Sequence, residues 1–131
     1  MSRENVEMVR ELYRAWNRGD PGFAFYAPDV EWDVSRWAPD LPEVARGHEE
    51  VRDQLGRFLG MWDEVHFEPE RFIEQGDTVV VTVTIRTRGK GSGITVSAHV
   101  AHVYTLRDGL VTSFVLYTDL PQAIEAVGLE G

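Results

Sequence analysis

The sequence predicts an α+β fold, with helices packed on one face of a curved, mainly antiparallel sheet. Three observations carry that expectation. Apolar residues recur at three- and four-residue steps in the first half of the chain, the period shifts to two from about residue 65, and short Gly-containing turns join the later segments in succession.

Residues 3–18 read as an amphipathic helix whose apolar stripe is Val6, Val9, Leu12, Tyr13 and Trp16. Glu7 and Glu11 stand at helix-neighbour spacings before Arg10 and Arg14, so the opposite face is solvated and salt-bridged. Asn17-Arg18-Gly19 ends the helix. Asp20-Pro21 is a cap followed by a first-turn proline and predicts a second helix, kept short by Pro28. Val30 to Val34 alternates as a strand. Residues 35–46, with Pro39 and Pro42, form a loop of the length that often serves binding. A third helix runs from about His48 to Met61, its stripe being Val51, Leu55, Phe58 and Trp62. Strands follow at about 65–75, 77–88, 94–107 and 110–118, with hairpin signals at Gln75-Gly76-Asp77 and Arg107-Asp108-Gly109. They predict an antiparallel meander. Pro121 to Val127 closes the chain as a short helix before Gly128.

Composition narrows the function classes. A chain of 131 residues fits one domain spanning 1–131, and at that size folding buries about two-thirds of the unfolded surface. Cysteine is absent, which removes disulfides, thiolate nucleophiles and thiolate metal sites. The net charge of −9 repels phosphate backbones, so nucleic acid is not an expected partner. No apolar run reaches the roughly 20 residues of a membrane span, and the first residues lack the layout of a signal peptide. The expected setting is cytoplasmic. The strand at 94–107 is apolar at both parities: Ile94, Val96, Ala98, Val100 and Tyr104 on one side, Ala101 and Val103 on the other. A strand apolar on both faces needs cover on both, so a homodimer through the outer sheet face is expected.

Several segments resemble the SnoaL-like branch of the nuclear-transport-factor-2-like (ketosteroid-isomerase-like) superfamily in order and spacing. They are Val9 to Asp20, Tyr26-Ala27-Pro28-Asp29-Val30-Glu31-Trp32, Gly47-His48-Glu49-Glu50-Val51, His102 to Gly109, and Tyr117-Thr118-Asp119 followed by Ala123 to Leu129. The resemblance implies a cone-shaped α+β barrel, with the N-terminal helices in the concave face and an apolar pocket inside. Members include isomerases, polyketide cyclases, epoxide hydrolases and dehydratases, and also binding domains without a reaction, so fold does not settle function. The isomerase set is not matched: its tyrosine falls on Leu12 and its two aspartates on Val34 and Ala101. Arg86-Thr87-Arg88 supplies the arginine of the epoxide-hydrolase pattern without its acid.

The cyclase pattern places its acid/base aspartate at Asp119, assisted by a strand histidine, either His99 or His102. Alignment with the isomerase register turns His99 inward together with Ala101 and Val103, and His102 outward with Tyr104. A carboxylate desolvated in such a pocket holds its proton more tightly, which suits proton transfer. The competing reading of Asp119 is an N-cap accepting from the Gln122 amide. The expected lining comprises Tyr13, Trp16, Tyr26, Trp32, Phe58 and Trp62, with Trp37 closing the mouth from the loop. Ala101, Val103 and Tyr117 complete it on the sheet side. His48 and His66 are expected to be solvated. No cofactor or metal is expected. The implied ligand is a small, largely apolar organic molecule, met by cofactor-free acid/base chemistry or, alternatively, by a non-catalytic binding or dimerisation module.

Overall fold

The amphipathic period of the N-terminal segment builds helix α1 (Ser2–Asn17), which buries Val9, Leu12, Tyr13 and Ala15 and leaves Glu4, Glu7, Arg10, Glu11 and Arg14 outside. On that solvated face Arg14 pairs with Glu11, and Arg10 lies near Glu7. The protein is described by a computed structural model covering residues 2–34, 44–60 and 62–128. Gly19 takes a left-handed φ of 86°, and the Asp20 amide reaches back to the Ala15 carbonyl (2.9 Å), which ends the helix.

The second helix expected after Asp20 is reduced to one 3-10 turn at Phe23–Phe25. The cause lies in Gly22, whose φ of 82° breaks helical geometry, while Asp20 Oδ1 accepts from its amide (2.8 Å). Strand β1 (Tyr26–Asp33) therefore begins earlier than alternation alone predicts, with Pro28 inside a register irregularity between Tyr26 and Glu31 where its missing N–H is tolerated. A two-residue strand β2 (Ala45–Arg46), read from the sequence as loop, pairs with it. Helix α2 (Gly47–Leu59) follows.

The period-two region becomes β3 (Trp62–Gln75), β4 (Thr78–Gly89), β5 (Thr95–Arg107) and β6 (Leu110–Tyr117), and α3 (Leu120–Val127) ends the described chain. Trp62, read as the last residue of the α2 stripe, instead opens β3 and pairs with Gly89. The β5–β6 turn has the expected two-residue form, with Asp108 and Gly109 both at positive φ. The six strands form one curved, unclosed sheet in the order β2-β1-β6-β5-β4-β3; all neighbours are antiparallel except β1 and β6. Asn17 ties the end of α1 to β3. Its side-chain amide exchanges two hydrogen bonds of 2.8 Å with the Phe67 backbone, as a neighbouring strand would.

The helices divide between the faces. α1 lies across β3 and β4 and α2 against β1, so both cover the concave side, whereas α3 packs on the outer face against β4, β5 and β6. Beneath α3 lie Val80, Ala101 and Val103, with Val115 and Tyr117 beside them. The second apolar parity of β5 is thus met in part within the chain, by α3. Among the described residues no helix is long and apolar enough to cross a membrane.

Candidate functional site

The curved sheet and the two inner helices enclose a cavity of about 1060 Å³ that reaches the surface. This lies just above the ~300–1,000 Å³ span of small-molecule sites. The period-two alternation of β4, β5 and β6 aims Ile85, Ala98, His102, Phe114 and Leu116 into it, and α1 and β1 add Trp16 and Trp32. From α2 come Leu55 and Phe58, half-buried because their face borders open space and not packed core.

The aromatic wall is rigid by construction. Trp32 stacks on Phe114 with ring centroids 4.1 Å apart, and Trp16 meets both edge-on at 6.0 and 6.1 Å. Behind it, the Tyr26 hydroxyl donates to the Pro21 carbonyl (2.7 Å) and accepts from Trp16 Nε1 (3.0 Å), fixing the Trp16 ring.

His102 is the most deeply buried polar group of the cavity, ahead of Thr87 and Gln54. It is 1% exposed, and its ring is surrounded by Trp16, Phe67, Tyr104 and Phe114. Its Nδ1 shares a hydrogen bond of 2.7 Å with the hydroxyl of Tyr13 from α1, the two rings lying within 6° of parallel. Burial lowers its pKa from the ordinary 6.5 to about 3, so the imidazole is neutral near pH 7. Tyr13 and Tyr104, buried behind it, are held protonated because burial raises both phenols. The carboxylates at the cavity, Asp20, Asp63 and Glu64, are all exposed. Asp20 is turned to the Gly22 amide and Glu64 to Arg88 across the strands (3.0 Å). Among the described residues no three His, Asp or Glu side chains group to hold a metal ion.

Acid stability reads the state of His102. Between its two pKa values the unfolded chain carries a proton here that the folded chain lacks, so stability rises with pH across that window. It is fully present above about pH 6.5 and is lost by up to about 1.4 kcal/mol per pH unit on acidification. Lowering the pH from about 7 to about 5 should therefore reduce the urea midpoint more in the wild type than in His102→Gln. Equal shifts would exclude the effect.

Sequence reasoning placed several residues differently. Asp119 and His99 do come together, but on the outer face, where they line a hollow of about 160 Å³ with Glu70 and Thr82. Asp119 caps α3: Oδ1 accepts from the Gln122 amide (2.9 Å) and Oδ2 from its side chain (3.2 Å). His99 is exposed, its Nδ1 2.8 Å from Thr84 Oγ1. Neither borders the cone cavity. Ala101, Val103 and Tyr117 likewise lie on the outer side, under α3. One misplaced residue of register explains the three β5 positions, His99, Ala101 and Val103, because a slip of one exchanges the faces of every side chain.

Trp16, Trp32, Phe58 and Trp62 border the cavity, Tyr13 and Tyr26 stand one layer behind, and Trp37 lies outside the described residues. His48 is not solvated: it is half-buried, with Nε2 at 3.2 and 3.1 Å from the Tyr26 and Ala27 carbonyls. His66 is exposed, as expected. Sequence reasoning named His102 only as the alternative to His99 and turned it outward, although the strand itself carried the signal. Val96, Val100, Tyr104 and Leu106 share its parity, while the other holds Ser97, His99 and Thr105.

Comparison with known proteins agrees with this architecture. The sequence profile of the SnoaL-like domain matches residues 9–114. A search of curated proteins returned no match. Among solved structures, an NTF2-like protein of unknown function from Burkholderia pseudomallei K96243 superposes with a TM-score of 0.80 at 32% identity, over 95% of this chain and 97% of that one. An NTF2-like protein from Burkholderia xenovorans LB400 gives 0.73 at 30% identity, over 91% and 92%. TerC, co-crystallised with polyporic acid, gives 0.80 at 26% identity, over 95% and 98%. With the profile spanning most of its length and the fold shared throughout, the chain belongs to the SnoaL-like domain family.

Proposed function

We propose that this protein binds a small, largely apolar organic molecule inside the cone. The carrying observation is the cavity of about 1060 Å³, whose wall is mostly aromatic and aliphatic and whose buried polar groups are the neutral His102 imidazole, Gln54 and Thr87. The co-crystallisation of TerC with polyporic acid supports an organic ligand for this architecture. Binding is favoured over proton transfer. The carboxylates at the cavity are exposed at its edge, and an imidazole titrating at about 3 is a poor base near neutral pH.

Ala98 offers the test, since it lines the cavity from β5 without filling it. Ala98→Trp should occupy that space and abolish binding of the hydrocarbon fluorene, followed by quenching of tryptophan fluorescence, while the urea midpoint stays close to wild type. Saturable quenching in the wild type that survives the substitution would place the ligand elsewhere, and no quenching in either would end the reading. Dimerisation through the outer face remains a proposal, confined to the area α3 leaves open. A sedimenting mass of two chains supports it, and that of one chain opposes it.

A further inference from the structure

We infer that Tyr13 is a positioning residue that fixes His102 as a hydrogen-bond donor toward the cavity, so that the site selects ligands carrying an acceptor oxygen at their buried end. The inference rests on the binding reading above and goes further, because it names the chemistry of the ligand.

The direction of the Tyr13–His102 bond follows from the proton inventory of the pocket floor. Among the described residues the Tyr13 hydroxyl has one hydrogen bond, to Nδ1 at 2.7 Å. A neutral imidazole has one N–H and one bare nitrogen. If Nδ1 carried the proton and donated to Tyr13, the tyrosine proton would need another acceptor. The nearby buried oxygen is the Tyr104 hydroxyl, which makes no well-formed hydrogen bond and brings a proton of its own to the same apolar floor. The tyrosine proton therefore goes to Nδ1, and the imidazole proton resides on Nε2. Reversal would leave a hydroxyl proton stranded in an apolar core.

The consequence is a chemical filter. His102 lines the cavity while Tyr13 stands behind it, so the ring nitrogen left for a ligand is the one bearing hydrogen. A carbonyl, ether or phenolate oxygen satisfies that N–H. A hydrocarbon leaves it unpaired, and an ammonium, which has donors alone, opposes it. The surrounding Trp16, Phe114 and Leu116 admit flat apolar rings, while the other buried polar groups of the wall, Gln54 and Thr87, stand on α2 and at the far end of β4. The preferred ligand class is a planar aromatic ketone or quinone-like molecule inserted oxygen first.

Two measurements test this. In the wild type, nitrogen chemical shifts of His102 should show Nε2 protonated and Nδ1 bare, and the opposite tautomer would overturn the inference. Fluorenone and fluorene, alike in outline but differing by one ring carbonyl, should differ in affinity by about tenfold in favour of the ketone. Tyr13→Phe should release the tautomer and shrink that preference severalfold, and an undiminished preference would overturn the positioning role. Equal affinity of the two probes in the wild type overturns the donor assignment and spares the binding reading. Failure of both probes to bind overturns the binding reading itself.

Discussion

Replacing Trp32 by alanine is expected to cost about 3–5 kcal/mol of stability, the range for removing a buried tryptophan. Trp32 is 3% exposed, yet it borders the cavity, because one ring face stacks on Phe114 while Trp16 and Tyr26 meet its edges. It also sits where β1 runs parallel to β6, paired directly with Phe114, so its loss loosens the pairing that joins β1 and β2 to the rest of the sheet. The substitution extends an existing cavity, and a neighbouring void offers no atoms to collapse into the gap. Urea unfolding of Trp32→Ala against Trp32→Phe checks this. The phenylalanine variant retains a ring against Phe114 and should recover a substantial part of the loss. Equal midpoints for the two variants would show that the stacked ring contributes little.

The second large effect belongs to Gly22, which turns the chain from α1 into β1. Its φ is 82°, and a Cβ there would lie 2.5 Å from Leu12 Cδ1, close to the Tyr26 hydroxyl and Trp16 Nε1. Leu12 is fully buried and cannot withdraw without disturbing the core. Gly22→Ala therefore adds a left-handed backbone penalty of about 1–2 kcal/mol to an overpacking penalty of about 1–3 kcal/mol. Gly19 separates the two effects: it has a similar φ of 86° with open space around its Cβ position, so Gly19→Ala carries the backbone penalty alone. Thermal unfolding should rank Gly22→Ala well below Gly19→Ala. Matching melting temperatures would remove the steric part of the explanation. Because Trp16 is held by this turn, Gly22→Ala should also weaken ligand binding in whatever fraction stays folded.

Much of the architecture was legible because local chemistry and tertiary packing agree. The α1 stripe is the buried stripe, and Asp108-Gly109 forms the turn its residue types favour. The failures occur where one position carries two meanings. Asp20-Pro21 is a good helix start, but Gly22 follows it and the core needs that glycine for close approach. β1 hides its first half behind a register irregularity, so alternation is visible only from Val30. In β5 both parities are apolar for different reasons, one facing the cone and the other facing α3. A resemblance aligned one residue out then turned His99 inward and His102 outward, opposite to the structure. Side-chain size within the strand was the better guide, since Tyr104 and Leu106 must enter the core and take His102 with them.

The site was half legible for a related reason. Aromatic residues at helical and strand spacings announced a wall, and Trp16, Trp32, Phe58 and Trp62 indeed border the cavity. The chemistry at its floor depends on a contact between residues 89 apart in sequence, Tyr13 and His102, which no local pattern encodes. Asp119, marked by position after the last strand, is consumed by capping α3.

Isotope-filtered nuclear Overhauser measurements on the fluorenone complex examine the ligand reading most directly. Contacts from the ketone's ring protons to Trp32, Phe58 and the Ala98 methyl group would place the molecule in the cone, with its oxygen end nearest His102. Contacts confined to Val103, Tyr117 or other outer-face residues, or none at all from the cavity wall, would contradict a ligand-binding cone.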